Sequence, residues 1–157
     1  MYWIFDLDYT LYDIPRHLEF DYVHLKKNAE LKENINKLPD KKGIFTNGTL
    51  MHAYNGLIAL GLEDVFHFID ARDSLHGLKP DKDVYLRLLN KNKIDRQEKI
   101  IFFDDSVDNL KMGKLLGWIT VHIHSLENPI IFREQYIDFT FNTIEDAVNF
   151  FNHHLHD

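Results

Sequence analysis

Asp6 and Asp8 follow directly on the apolar run Met1-Tyr2-Trp3-Ile4-Phe5, in the stretch Asp6-Leu7-Asp8-Tyr9-Thr10-Leu11. A run of apolar and aromatic residues ending in acids reads as a buried strand that stops at a sheet edge. In an extended chain, alternation puts both carboxylates on one side, close enough to repel. A hard cation or a shared proton offsets such repulsion. A second acidic pair, Asp104-Asp105, closes the run Ile100-Ile101-Phe102-Phe103, and Thr46-Asn47 closes Gly43-Ile44-Phe45. Lys79 stands at a predicted helix start, before Pro80.

Together these are four carboxylates, a hydroxyl, an amide and a lysine. There is no cysteine in the chain and no histidine inside these motifs. That donor set suits an oxygen-preferring ion such as Mg2+ rather than zinc, with Asp6 and Asp104 sufficient as direct ligands. A carboxylate, a cation, a lysine and a hydroxyl aimed at one spot make a receptor for a phosphoryl group. An aspartate can also act as nucleophile and form an aspartyl-phosphate. The second aspartate, two residues on, is placed to protonate the leaving oxygen and then activate water.

Convergence of these groups requires particular elements. The spacing predicts a helix from about Arg16 to Asn36, through Leu18, Tyr22, Leu25 and Ala29 and, with a phase shift, Leu31 and Ile35. A helix is expected over Leu50–Leu60 with Gly61 as its stop, a strand over Val65–Ile69, and loop from Ala71 to Gly77. Lys79-Pro80-Asp81 should open a helix running to about Leu89, with Pro80 in its first turn. A helix through Leu110 and Leu115, stopped by Gly117, precedes a strand over 118–123. Between Ser125 and Asn142 the pattern is ambiguous, with Phe139-Thr140-Phe141 as a short strand candidate, and Thr143 caps a last helix. Apolar runs alternating with helices call for an α/β fold: a Rossmann-like three-layer sandwich around a parallel sheet of about five strands. Such sheets bind ligands beyond the carboxyl ends of their strands, where Asp6, Asp8, Thr46, Asn47, Lys79, Asp104 and Asp105 all fall.

With 157 residues, one domain spanning 1–157 is expected. A formal charge of −7 disfavours a dominant nucleic-acid or anionic-membrane surface. The absence of cysteine excludes disulfides and thiolate chemistry, and the N-terminal stretch lacks the pattern of a signal peptide. No stretch reaches membrane-spanning length, so a cytoplasmic location is the expectation.

Asp6-Leu7-Asp8-Tyr9-Thr10, Thr46-Asn47-Gly48, Lys79-Pro80, and Phe103-Asp104-Asp105-Ser106 with Asn109 resemble the four ordered motifs of the haloacid dehalogenase (HAD) superfamily. Phe5–Tyr12, Ile44–His52 and Gly117–His122 resemble its pyrimidine 5′-nucleotidase-like branch in particular. The resemblance implies an Mg2+-dependent phosphohydrolase. Asp6 matches the nucleophile and Asp8 the general acid/base, whose main-chain carbonyl also binds the metal. Thr46 and the Asn47 main chain would hold phosphate oxygens, and Lys79 would steady nucleophile and phosphate. Asp104 would complete the metal shell, and Asp105 would ligate through water or from behind it. Dehalogenases of the superfamily lack the second acid, so Asp8 favours phosphate ester hydrolysis.

Nucleotidase-like members carry a helical cap between the first two motifs. Here 35 residues (11–45) separate Thr10 from Thr46, and 32 residues (47–78) separate Thr46 from Lys79. One helix and one strand fill each gap, so a core without a cap domain and an open site are expected. A small phosphomonoester, such as a nucleotide, is the favoured partner, helped by Tyr9, Tyr12, His17 or a neighbouring subunit of a homo-oligomer. A phosphoprotein or nucleic-acid end is the alternative within the enzyme class, and nucleic acid is disfavoured by the charge. A non-catalytic binding module on an inherited core is the third reading, opposed by the intact Asp6, Asp8, Lys79 and Asp104. The terminal Asn152-His153-His154-Leu155-His156 reads as a solvated helix end, His122 and His124 as structural histidines, and Asp70 as a structural acid.

Overall fold

A computed structural model describes residues 1–18, 21–130 and 135–154. Its six strands are β1 (Tyr2–Phe5), β2 (Lys41–Phe45), β3 (Phe68–Asp70), β4 (Ile100–Asp104), β5 (Ile119–Ile123) and β6 (Phe139–Phe141). The helices are α1 (Ala29–Lys37), α2 (Leu50–Leu60), α3 (Arg72–Leu75), α4 (Lys82–Lys91), α5 (Val107–Leu115) and α6 (Ile144–His154). The strands form one sheet in the order β3-β2-β1-β4-β5-β6, and every pairing is parallel.

Alternation along the strands sends side chains into two separate cores. Trp3, Phe5, Ile44, Ile101 and Phe103 pack with Leu31 and Ile35 of α1, Ala53 and Leu57 of α2, and Ala147 and Val148 of α6. Ile4, Phe45, Ile100 and Phe102 pack on the other face, with Leu75 of α3, Val84, Tyr85 and Leu88 of α4, and Leu110 of α5. Helices therefore cover both faces, which is why the strands are apolar on both sides. Phe5 and Phe103 stack across the β1–β4 seam with ring centroids 4.5 Å apart. Burying each ring stabilises the fold by roughly 1.5–3 kcal/mol.

The seam sets the position of the acids. Phe5 pairs with Phe103, and the Asp6 amide donates to the Phe103 carbonyl at 2.9 Å. The ends of β1 and β4 thus finish side by side at the point where strand order reverses, where open α/β sheets leave a crevice.

Several local expectations are corrected. No single helix spans 16–36: Arg16–Leu18 and Tyr22–His24 are 3-10 turns, and among the described residues the α-helix begins only at Ala29. Asn28 decides this, because its side chain accepts the Leu31 amide at 3.0 Å and caps α1, while its own amide donates to Leu60. The third strand is Phe68–Asp70 rather than 65–69, and α3 occupies part of the stretch read as loop. The helix after Lys79 starts at Lys82 with Asp81 as its cap, so Pro80 precedes the first turn instead of sitting in it. The short strand candidate Phe139–Phe141 is a strand, the sixth of the sheet among the described residues, at its edge beside β5. Gly61 ends α2 as expected; its φ of 74° lies in the left-handed region that a residue with a side chain avoids.

Candidate active site

The loop leaving β1 buries Leu7 in the core, so its neighbours Asp6 and Asp8 both face away from it. The Thr10 and Leu11 amides donate to the Leu7 carbonyl, closing a turn in which Tyr9 adopts a φ of 64°. That turn brings the Thr10 hydroxyl back to Asp6 Oδ2 at 3.0 Å. Asp6 Oδ1 accepts from Lys79 Nζ at 3.1 Å. Both oxygens of Asp6 are therefore oriented, and the residue is 7% exposed.

Lys79 is the centre of the polar cluster. Its Nζ donates to Asp6 (3.1 Å), Asp104 Oδ2 (2.9 Å) and the Phe45 carbonyl (2.7 Å), so none of its protons lacks a partner. Its backbone is held by Asn47: the Lys79 amide donates to Asn47 Oδ1 at 2.7 Å, and Asn47 Nδ2 donates to the Lys79 carbonyl at 3.2 Å. The Asn47 side chain thus clips Lys79 in place. Thr46, 2% exposed, accepts the Gly48 amide on Oγ1 at 3.0 Å at the mouth of the same loop.

From β4, Asp104 accepts the Ser106 amide on Oδ1 (2.9 Å) and Asn109 Nδ2 on Oδ2 (3.2 Å). Ser106 caps α5, which fixes this loop to a helix. Asp105 accepts Ser125 Oγ and Asn128 Nδ2 on Oδ2, each at 2.9 Å. Carboxylate oxygens of Asp6, Asp104 and Asp105 lie within 4.8 Å of one another, a spacing that could hold a metal ion.

Three buried acids around one lysine are electrostatically unbalanced. Burial pushes the Asp6 carboxyl well above the usual carboxylate range; Asp104 adds to this, and Lys79 opposes it. Asp105 is pushed up to about 7 by burial and by Asp104, against the hydrogen bonds of Asn128 and Ser125. For Lys79, burial favours the neutral amine, but Asp104 and Asp6 outweigh it and hold the ammonium above its ordinary range. A divalent cation among the three carboxylates would relieve this imbalance.

Asp8 stands apart from the metal-type cluster. Its Oδ1 receives the Tyr12 hydroxyl and lies 2.7 Å from His52 Nε2. The side chains brought together as candidate ligands are Asp6, Asp104 and Asp105, while the Asp8 side chain turns toward Tyr12 and His52. A cleft of about 500 Å³ opens onto Asp6, Asp8, Thr46, Asn47, Lys79 and Asp105, with Tyr9, Arg16 and Arg72 also in its wall. His17, considered for leaving-group contact, is exposed and does not line it.

Elsewhere, His122 Nε2 bonds the Asp105 carbonyl at 2.9 Å, and Asp70 is paired with Lys91 at 2.7 Å. Leu155 and His156 of the terminal histidine cluster lie outside the described residues. Among the described residues, no helix is long and apolar enough to cross a membrane.

His52, Ser125 and Asn128 are site residues that the motifs did not single out. His52 had one legible signal, its place in the first turn of the helix after Thr46-Asn47-Gly48, where side chains face the cleft. Ser125 and Asn128 sit in an aperiodic stretch and gave none.

Residues 15–123 match the family model of haloacid dehalogenase-like hydrolases, a span that includes Thr46, Lys79 and Asp104 but begins after Asp8. The chain is 27% identical over 142 residues to glyceraldehyde 3-phosphate phosphatase of Methanocaldococcus jannaschii, covering 89% of this chain and 60% of that one. It thus spans about 60% of the length of that relative. In fold it is similar to L-2-haloacid dehalogenase from Xanthobacter autotrophicus (TM-score 0.64, 19% identity, 82% of this chain and 62% of that one). It is also similar to an uncharacterized protein from Listeria monocytogenes serotype 4b (TM-score 0.68, 22% identity, 94% of each chain).

Proposed function

This chain belongs to the haloacid dehalogenase-like hydrolases, and from that premise we propose that it hydrolyses a phosphomonoester through an aspartyl-phosphate on Asp6. The observation that carries the reading is the division of labour between two acids of one loop. Asp6 is buried and held by Lys79 and Thr10 within the three-carboxylate group, while Asp8 stands outside that group and faces the cleft. One is placed to be a nucleophile with fixed orientation, the other a proton carrier.

In the first step an Asp6 oxygen attacks phosphorus and the bond to the leaving oxygen breaks, with Asp8 giving that oxygen a proton. In the second, Asp8 takes a proton from water as the water's oxygen attacks phosphorus, releasing phosphate and restoring the Asp6 carboxylate. Thr46 Oγ1 and the Asn47 main-chain amide hold phosphoryl oxygens, and Lys79 offsets their charge. The all-oxygen donor set of Asp6, Asp104 and Asp105, with the Asp8 main-chain carbonyl, fits Mg2+. When bound, the ion supplies charge stabilisation to the transferring phosphoryl group.

For the substrate, we favour a small phosphorylated metabolite. The relative's name indicates a phosphotriose substrate for that protein, and a cleft of about 500 Å³ with Arg16 and Arg72 in its wall suits an anion of that size. The likeness to a dehalogenase is one of fold, and Asp8 speaks for phosphate esters.

The test is phosphate release from a panel of triose phosphates, sugar phosphates, nucleotides and phosphopeptides with Mg2+, alongside halide release from 2-chloropropionate. Phosphate release that EDTA stops and Mg2+ restores is expected. Halide release, or no phosphate from any member of the panel, would sink the proposal.

A further inference from the structure

We infer that His52 is a positioning residue for Asp8: anchored by Tyr22, it fixes the Asp8 carboxylate through Oδ1 so that Oδ2 meets the oxygen of the leaving group. The inference rests on the phosphatase reading for what Asp8 does, and on the surrounding geometry for how Asp8 is held.

Asp8 precedes a loop residue with left-handed backbone, Tyr9, and it has no lysine or arginine ion pair among the described residues. Its orientation must come from hydrogen bonds. His52 Nε2 lies 2.7 Å from Oδ1, and the Tyr12 hydroxyl donates to the same oxygen. A carboxylate can only accept, so Nε2 carries the proton. In the neutral ring Nδ1 then accepts from the Tyr22 hydroxyl, at 2.7 Å. Tyr22, His52 and Asp8 therefore form a chain with one consistent direction of donation.

His52 is itself well fixed. It is 6% exposed and sits in the first turn of α2, where its amide donates to the capping Thr49 hydroxyl at 3.1 Å. Its ring fits only because residue 48 is glycine: a methyl there would stand 2.8 Å from His52 Cδ2. The same methyl would lie 3.6 Å from Asp8 Oδ2 and 3.5 Å from Thr46 Oγ1. The oxygen left unused by His52 and Tyr12 thus lies on the side of Thr46, where the phosphoryl group binds in the proposed reaction. Positioning of this kind matters because proton transfer needs hydrogen-bond geometry at the reacting atom.

The test compares kcat/KM on two substrates that differ in how much the leaving oxygen needs a proton. Glycerol phosphate expels a basic alkoxide, while p-nitrophenyl phosphate expels an acidic phenol. His52→Leu should lose about 100-fold on glycerol phosphate and only a few-fold on p-nitrophenyl phosphate, as expected when general-acid assistance is impaired. His52→Gln, whose amide nitrogen can reach the Nε2 position, should regain most of the loss. Tyr22→Phe should show the same selectivity with a smaller size. Adding His52→Leu to Asp8→Asn should cost little further, because both act on one proton transfer. Equal losses on the two substrates, or additive losses in the double variant, would overturn the inference and leave His52 a packing residue. Should the wild type release no phosphate, the phosphatase reading falls by itself. The chain is then judged by nuclear magnetic resonance of the His52 ring. A protonated Nε2 whose shift moves in Asp8→Asn and Tyr22→Phe supports the chain; a bare Nε2 overturns it.

Discussion

Strand ends on one side of the parallel sheet carry buried aspartates, and their surroundings differ in kind. Asp70 closes β3 at 1% exposure, and both of its oxygens are answered: Oδ1 by Lys91 Nζ and Oδ2 by Asn92 Nδ2, each at 2.7 Å. One anion meets one cation. At the ends of β1 and β4, carboxylate oxygens of Asp6, Asp104 and Asp105 crowd within 4.8 Å, and among the described residues Lys79 is the ammonium that reaches two of them, Asp6 and Asp104. Burial of an acid therefore does not by itself mark a site. An uncompensated excess of one sign does, because folding keeps it only where something else supplies the missing charge.

The contrast can be broken most decisively at Asp6. Asp6→Asn should lower phosphate turnover by at least about 10⁴-fold, roughly 5.5 kcal/mol of barrier. The metal-free protein should hold or gain thermal stability, since one repelling charge is gone. Next in size, Lys79→Met removes the cation that pairs with buried Asp6 and Asp104. Urea unfolding should report a loss of about 3–5 kcal/mol, partly returned by Mg2+.

The imbalance also sets a pH dependence. The folded Asp105 carboxyl titrates at about 7, above its ordinary value. The unfolded chain thus releases its proton first as pH rises, so metal-free stability falls between about pH 4 and pH 7. The fall amounts to up to about 4 kcal/mol. Asp6, also raised, acts in the same direction. Mg2+ favours the ionised carboxylates and should flatten or reverse the slope; a metal-free protein more stable at pH 8 than at pH 5 would contradict the contrast. The smallest effect belongs to Asp70→Asn. Its partner Lys91 is half exposed and can turn to water, so a cost of about 1–2 kcal/mol is expected, with turnover within about twofold of wild type. A large loss of turnover there would erase the distinction between the two regions.

Much of this site was legible in the sequence because its parts follow strand ends. Apolar runs closing on Asp6, Thr46 and Asp104 declare both the strand and the place where it stops, and parallel topology brings such ends together. Gly61 and Thr143 likewise carry their capping chemistry on the surface of the sequence. What escaped depends on contacts between distant segments. Tyr22 looked like one ridge of a long helix, yet it opens a short 3-10 turn and its hydroxyl reaches His52. Ser125 and Asn128 support Asp105 from a stretch with no periodicity. Local pattern cannot report a partner that sits many residues away.

The double hydrogen bond between the Asn47 side chain and the Lys79 backbone has a consequence for how this protein can be rebuilt. It staples the two ends of a 32-residue excursion (47–78) that carries α2, β3 and α3. The staple and the bond from Lys79 Nζ to the Phe45 carbonyl both tie Lys79 to the end of β2. The outer turns of that segment are accordingly a natural graft point for an added lid, which would inherit a reaction centre already held in register beneath it.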